Sequence, residues 1–120
     1  MEKVKSMRTF IGAKHYDVSR QFYLEFGFLE HQISRNMSLF RLDATSFYLQ
    51  DYYVKKWVDN TMVFLEVDNL DRFWDELKHK ELDKKFPGVK YVDPKKLDWG
   101  REGFVHDPSG VLWHIGQFND

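Results

Sequence analysis

Five histidines are the residues best suited to chemistry in this 120-residue chain, and their spacing serves little of it. His15, His31, His79, His106 and His114 are scattered, with no H-x-x-x-H or H-E-x-x-H pair to seat a metal on one helix face. Cysteine is absent, which excludes thiolate nucleophiles, disulfides and thiolate zinc sites together. Ser109 lies in Asp107-Pro108-Ser109-Gly110, where Pro presets φ, Asp bonds back to the backbone and Gly takes the last place. That makes Ser109 a turn residue, since no G-x-S-x-G surrounds it and no base stands beside it. Glycine-rich loops that cradle phosphate are missing as well. His114 has the most suggestive setting, in the strand "VLWHIGQF" just after that turn. Residues two apart in a strand share a face, so Leu112 and His114 point one way, Val111 and Trp113 the other.

Such side chains need a frame, and the hydrophobic pattern supplies the same one twice. "RTFIGAK" reads as a strand and "DVSRQFYLEFGF" as a helix with Val18, Phe22 and Phe26 in one stripe. Asp17 is its expected N-cap and Gly27 its expected C-cap. "LEHQIS", "SLFRLD" and "SFYLQDYY" follow as short strands turning near Arg35-Asn36 and Asp43-Ala44. The second half repeats the order. "TMVFLEV" is a strand, and "NLDRFWDELKHKEL" is a helix capped by Asn69 with Leu70, Phe73, Leu77 and Leu82 to one side. A loop with Pro87-Gly88 and Pro94 leads to strands at "YV", "REGFVHD" and "VLWHIGQF". Matching Asp17 to Asp71 places Arg8 on Met62 and Phe10 on Phe64, at one offset of 54 residues. Matching the last hairpins places Gln50 on His114, 64 residues apart. A βαβββ unit cannot bury its sheet alone, so two must pair, within the chain or across a dimer.

Composition narrows the partners. Eighteen Lys and Arg against nineteen Asp and Glu leave a net charge of −1, without the basic surplus that nucleic acid demands. Nothing in "MEKVKSMRTF" resembles an apolar leader, and no stretch approaches a membrane span, so a cytoplasmic protein is expected. The aromatic share is 18%, enough for an aromatic core, a ring-lined pocket, or both. Trp74, on the second helix, and Trp113, on the far side of the last strand, are expected to pack. The length suits one domain spanning residues 1–120, with one module over about 7–56 and the other over about 60–118.

These phrases resemble the glyoxalase, bleomycin-resistance and extradiol-dioxygenase superfamily, the vicinal oxygen chelate proteins. "RTFIGAKHYDVSRQFYLEFGF" is similar to its opening module, "DNTMVFLEVDNLDRFWDEL" to the start of its second, and "WGREGFVHDPSGVLWHI" to its final hairpin. Asp59-Asn60-Thr61 and Trp99-Gly100-Arg101-Glu102 are most similar to bleomycin-resistance proteins. The likeness covers the chain from Met7 to Phe118. It implies an α+β fold of two βαβββ modules whose curved mixed sheet forms a cup, and a homodimer with ligand sites near the subunit interface.

The resemblance also carries a test for metal. Metal-dependent members place ligands on the first and last strand of each module, which here falls on Arg8, Gln50, Met62 and His114. A guanidinium has no lone pair to give, a thioether is soft, and an amide oxygen is a weak ligand. One good ligand out of four implies no metal and no cofactor. The expected function is therefore sequestration of an aromatic or heterocyclic small molecule, as in antibiotic resistance of the bleomycin type, with no catalytic residue. Phe10, Tyr48, Phe64 and Trp99 would supply rings, with Arg8, Gln50, Asn60, Met62, Glu66, Arg101 and His114 around them. Trp57 would be a pocket or dimer contact, and Arg101 and Glu102 would pair with each other or across an interface. The alternative is a divalent-metal lyase or dioxygenase using His114 with Glu66 or Gln50. A third reading makes the fold an interaction surface in a housekeeping or stress protein.

Overall fold

The computed structural model describes residues 1–120. The expected order appears twice: β1 (Phe10–Gly12), α1 (Tyr16–Phe26), β2 (Leu29–Ser34), β3 (Met37–Leu42) and β4 (Thr45–Gln50), then β5 (Met62–Glu66), α3 (Leu70–Lys80), β6 (Lys90–Lys96), β7 (Gly100–His106) and β8 (Leu112–Phe118). Two short helices, α2 (Lys55–Asp59) between the modules and α4 (Leu82–Lys85) after α3, were not foreseen.

Helix α1 ends as its sequence implies. Gly27 sits at φ 132°, a conformation that side chains resist, and its N–H bonds the Tyr23 carbonyl. The start differs: His15 occupies the N-cap without a side-chain bond, and Asp17 lies inside the first turn, 3.0 Å from Arg20. Val18 is exposed and Ser19 takes the buried place, its Oγ 3.3 Å from the Oγ of Ser109. Asn69 caps α3 as expected, its side chain accepting from the Arg72 N–H. That helix stops at Glu81, which adopts the left-handed conformation, so Leu82 opens α4 yet stays fully buried. Pro94 is in β6, at its irregularity between Val92 and Lys95, where an edge strand tolerates a missing N–H.

Each module folds into its own four-stranded mixed sheet, ordered β1-β4-β3-β2 and β5-β8-β7-β6. One face of each sheet packs inward on a single cluster of 20 buried residues drawn from both modules. Trp113, 2% exposed, joins them: its ring lies 5.5–6.1 Å from those of Tyr23, Phe26, Phe28 and Phe47. Trp74 packs likewise at 5% exposure. The Asp107 turn is tied into this core. Its Oδ1 accepts the N–H groups of Ser109, Gly110 and Val111 at 2.8–2.9 Å, and its Oδ2 accepts the Tyr23 hydroxyl at 2.6 Å. Trp113 Nε1 donates to that same hydroxyl at 2.9 Å. Burial raises both the Asp107 carboxyl and the Tyr23 hydroxyl above their usual ranges. No helix is long and apolar enough to cross a membrane.

Candidate functional site

The outward face of each sheet carries the candidate residues. In module one a single row across the strands holds Phe10, Tyr48, Leu39 and His31. The corresponding row of module two holds Phe64, His114, Phe104 and Val92. These registers correct one match made from sequence. Tyr48, paired with Phe10, is the counterpart of His114, paired with Phe64; Gln50 lies one row further, opposite Gly12, as Gly116 lies opposite Glu66. Face assignment survives, because the slip is two residues and the side-chain period is two.

Module one presents a cation beside a hydroxyl. Arg8 Nε donates to Ser46 Oγ and an Arg8 terminal nitrogen donates to the Tyr48 hydroxyl, both at 3.0 Å. The guanidinium carbon lies 5.6 Å from the centre of the Tyr48 ring, which stacks on Phe10 at 5.1 Å. Beyond Phe10 opens a hollow of about 720 Å³, walled by Asn36, Gln50, Tyr52, Trp57 and Thr61 among others. Helix α2 builds its far wall. Trp57 is 63% exposed there, with the Tyr52 ring 6.0 Å away.

Module two presents an imidazole, a carboxylate and a cluster of rings. Phe64 lies over Gly116, where a Cβ would come within 2.5 Å of the ring. Around it stand Trp99 at 5.8 Å, Phe118 at 5.8 Å and His114 at 6.3 Å. His114 Nδ1 is 2.8 Å from Glu102 Oε1, and its ring meets the edge of Phe104 at 4.9 Å. Met62 is exposed on the same face, and Glu66 sits across Gly116 from Glu102.

Two expected site residues lie elsewhere. Arg101 turns to the helix side of its strand and bonds Asp71 at 2.8 Å, pairing neither with Glu102 nor with the outward face. Asn60 donates its amide to the Lys56 carbonyl at 2.8 Å, closing α2. Glu102, expected to pair with Arg101 or across an interface, is not among the expected site residues. Its alternation with Arg101 on a strand could have marked it, but its partner required the β7–β8 register.

The donor set does not suit a divalent metal. The positions that the resemblance matched to metal ligands hold Arg8, Gln50, Met62 and His114, with Tyr48 in the register of His114, and no three His, Asp or Glu side chains converge anywhere in the chain.

No family model matches the sequence, and no curated protein matches it. Solved structures do match it in fold. A bleomycin-binding protein complexed with bleomycin superposes with TM-score 0.80 over 97% of this chain and all of that one, at 16% identity. The bleomycin-binding protein of bleomycin-producing Streptomyces verticillus, complexed with copper(II)-bleomycin, gives 0.78 at 20% identity, over 99% of this chain and all of that one. TnmS3, an antibiotic binding protein from Streptomyces sp. CB03234, gives 0.76 at 20% identity with the same coverage. The chain therefore has the α+β fold of bleomycin-binding proteins, the fold the sequence resemblance implied.

Proposed function

We propose that this protein binds a flat aromatic or heterocyclic small molecule and holds it without metal or cofactor chemistry. One observation carries the reading: the 720 Å³ hollow bordered by the half-open rings of Phe10, Tyr52 and Trp57, with the Asn36 and Gln50 amides among them. Ligand pockets of roughly 300–1,000 Å³ combine apolar walls with a few orienting polar groups in this way. The neighbours of like fold that bind bleomycin or another antibiotic support it. The working form is a homodimer, in which the outward faces with exposed Phe10, Met62 and Phe64 would line a groove shared with a second copy, open to the ligand. Arg8 on one of those faces and a net charge of only −1 favour a neutral or anionic ligand over a cationic drug.

The test is tryptophan fluorescence, titrated with metal-free bleomycin and with neutral and anionic planar aromatics, beside elemental analysis of the purified protein. The expected result is saturable quenching by one of them, recovery of that compound unchanged, and no stoichiometric metal. Absence of quenching across the set, or a transition metal that survives dialysis at one per chain, would overturn the reading. Unchanged drug sensitivity in cells overproducing the protein would remove the resistance role alone.

A further inference from the structure

His114 is held in a way that its pocket neighbours alone do not explain. A carboxylate has only lone pairs to offer, so the 2.8 Å contact from Glu102 Oε1 places the imidazole proton on Nδ1. In the neutral imidazole Nε2 then keeps its lone pair. It makes no hydrogen bond within the chain, and no unpartnered side-chain nitrogen is fully buried, so Nε2 keeps contact with solvent on a side chain that is 22% exposed. Phe64 lies nearly parallel to the ring, at 26°, and Phe104 meets it edge-on, which fixes the imidazole plane from two sides. Beside it Trp99 and Phe118, 4.9 Å apart, complete a wall of rings with Phe64. The other charged groups on this face, Glu66 and Lys95, flank the same row as Glu102, and His106 lies with Lys90 one row to the other side.

We infer that the module-two face selects aromatic ligands carrying an O–H or N–H donor at the ring edge, which His114 Nε2 accepts while Phe64, Trp99 and Phe118 hold the ring. Glu102 is a positioning residue: it touches no ligand and acts by fixing the imidazole tautomer. This rests on the outward faces being ligand surfaces, and it adds the ligand's chemical class and the side chain that reads it. A methylated analogue of the same ring leaves the lone pair of Nε2 unmatched. The discrimination expected from one hydrogen bond is about tenfold.

The experiment is nitrogen-15 NMR on the full chain at neutral pH, with 4-methylphenol and 4-methylanisole as probes. We expect a pyrrole-like Nδ1 and a pyridine-like Nε2 in His114. The phenol should shift Nε2 and bind about tenfold more tightly than the anisole. His114→Phe should erase the difference while keeping the ring-on-ring contact. Glu102→Gln should give mixed tautomers and shrink it. A doubly protonated imidazole, equal binding of the two probes, or no shift with either would overturn the inference, and none of these needs a variant to fold. Equal binding with saturable tryptophan quenching would leave the sequestration reading standing, whereas failure of that reading shows as no quenching by any compound.

Discussion

The two modules share a plan and differ in what they turn outward. Their first strands and helices match at one offset of 54 residues, and their inner faces are alike in kind: Ile11, Phe47 and Leu49 in one, Leu65, Trp113 and Ile115 in the other. On the outward faces only the Phe10 and Phe64 pair agrees. Tyr48 stands where His114 stands, Arg8 where Met62 does, Met37 where Glu102 does, and Gly12 where Glu66 does. The difference has a physical origin. An inner position must fill a closely packed volume, which favours apolar side chains of similar size there. An outer position meets water, and its identity is free to follow a ligand. The module with the guanidinium adjoins the hollow, while the module with the imidazole carries the tighter ring cluster.

The sharpest break of this comparison is at Trp113. Its ring is where the inner faces of both sheets meet, so Trp113→Ala should cost about 3–5 kcal/mol of unfolding free energy in a denaturant titration. A loss below about 1 kcal/mol would mean that the modules do not depend on a common core. A smaller effect is expected from Tyr23→Phe, which leaves Asp107 Oδ2 without its donor; the cost should be about 1–3 kcal/mol near neutral pH. The sign of its pH dependence follows from the Asp107 carboxyl, whose pKa burial raises in the folded state. A raised folded pKa contributes stability below the unfolded value that is lost as pH rises through the folded one. Removing the Tyr23 donor raises it further, so the penalty should shrink as Asp107 protonates in acid. A penalty that grows on acidification would contradict the assigned bond.

Much of this was legible from sequence because it depends on short-range pattern. Alternation along "VLWHIGQF" put His114 and Trp113 on opposite faces, and Gly27 marked the end of α1 because only glycine tolerates that backbone cheaply. The resemblance carried the fold. What escaped depends on register or on context. The hairpin match failed by two residues because Asp43-Ala44 closes β3–β4 while residues 107–111 close β7–β8, so equal turns could not be assumed. Helix α2 is one turn of "KKWVD", too short for a period to show. The Glu102–His114 contact joins residues 12 apart across two strands, diagonal to the direct pairs Glu102–Gly116 and Phe104–His114. Arg101 was drawn off by Asp71 at the start of α3, a partner that nothing near it in the chain announces.

The smallest expected effect makes the sharpest statement about the two faces. If they are one scaffold with different side chains, the acid–imidazole pair should be transferable. Tyr48 corresponds to His114, and Met37, opposite Gln50, corresponds to Glu102, opposite Gly116. Both Tyr48 and Met37 are partly exposed, so Tyr48→His combined with Met37→Glu should change stability by no more than about 1 kcal/mol. The new imidazole should show the nitrogen-15 signature expected of His114, with its proton on the nitrogen facing the carboxylate. Phe10 is already in the place of Phe64, and Leu39 in that of Phe104 offers an apolar edge against the ring. A new histidine with freely exchanging tautomers, in a variant as stable as the parent, would show that strand register alone does not set this geometry. The Phe104 edge and the ring cluster around Phe64, which module one lacks, would then be what holds the imidazole in place.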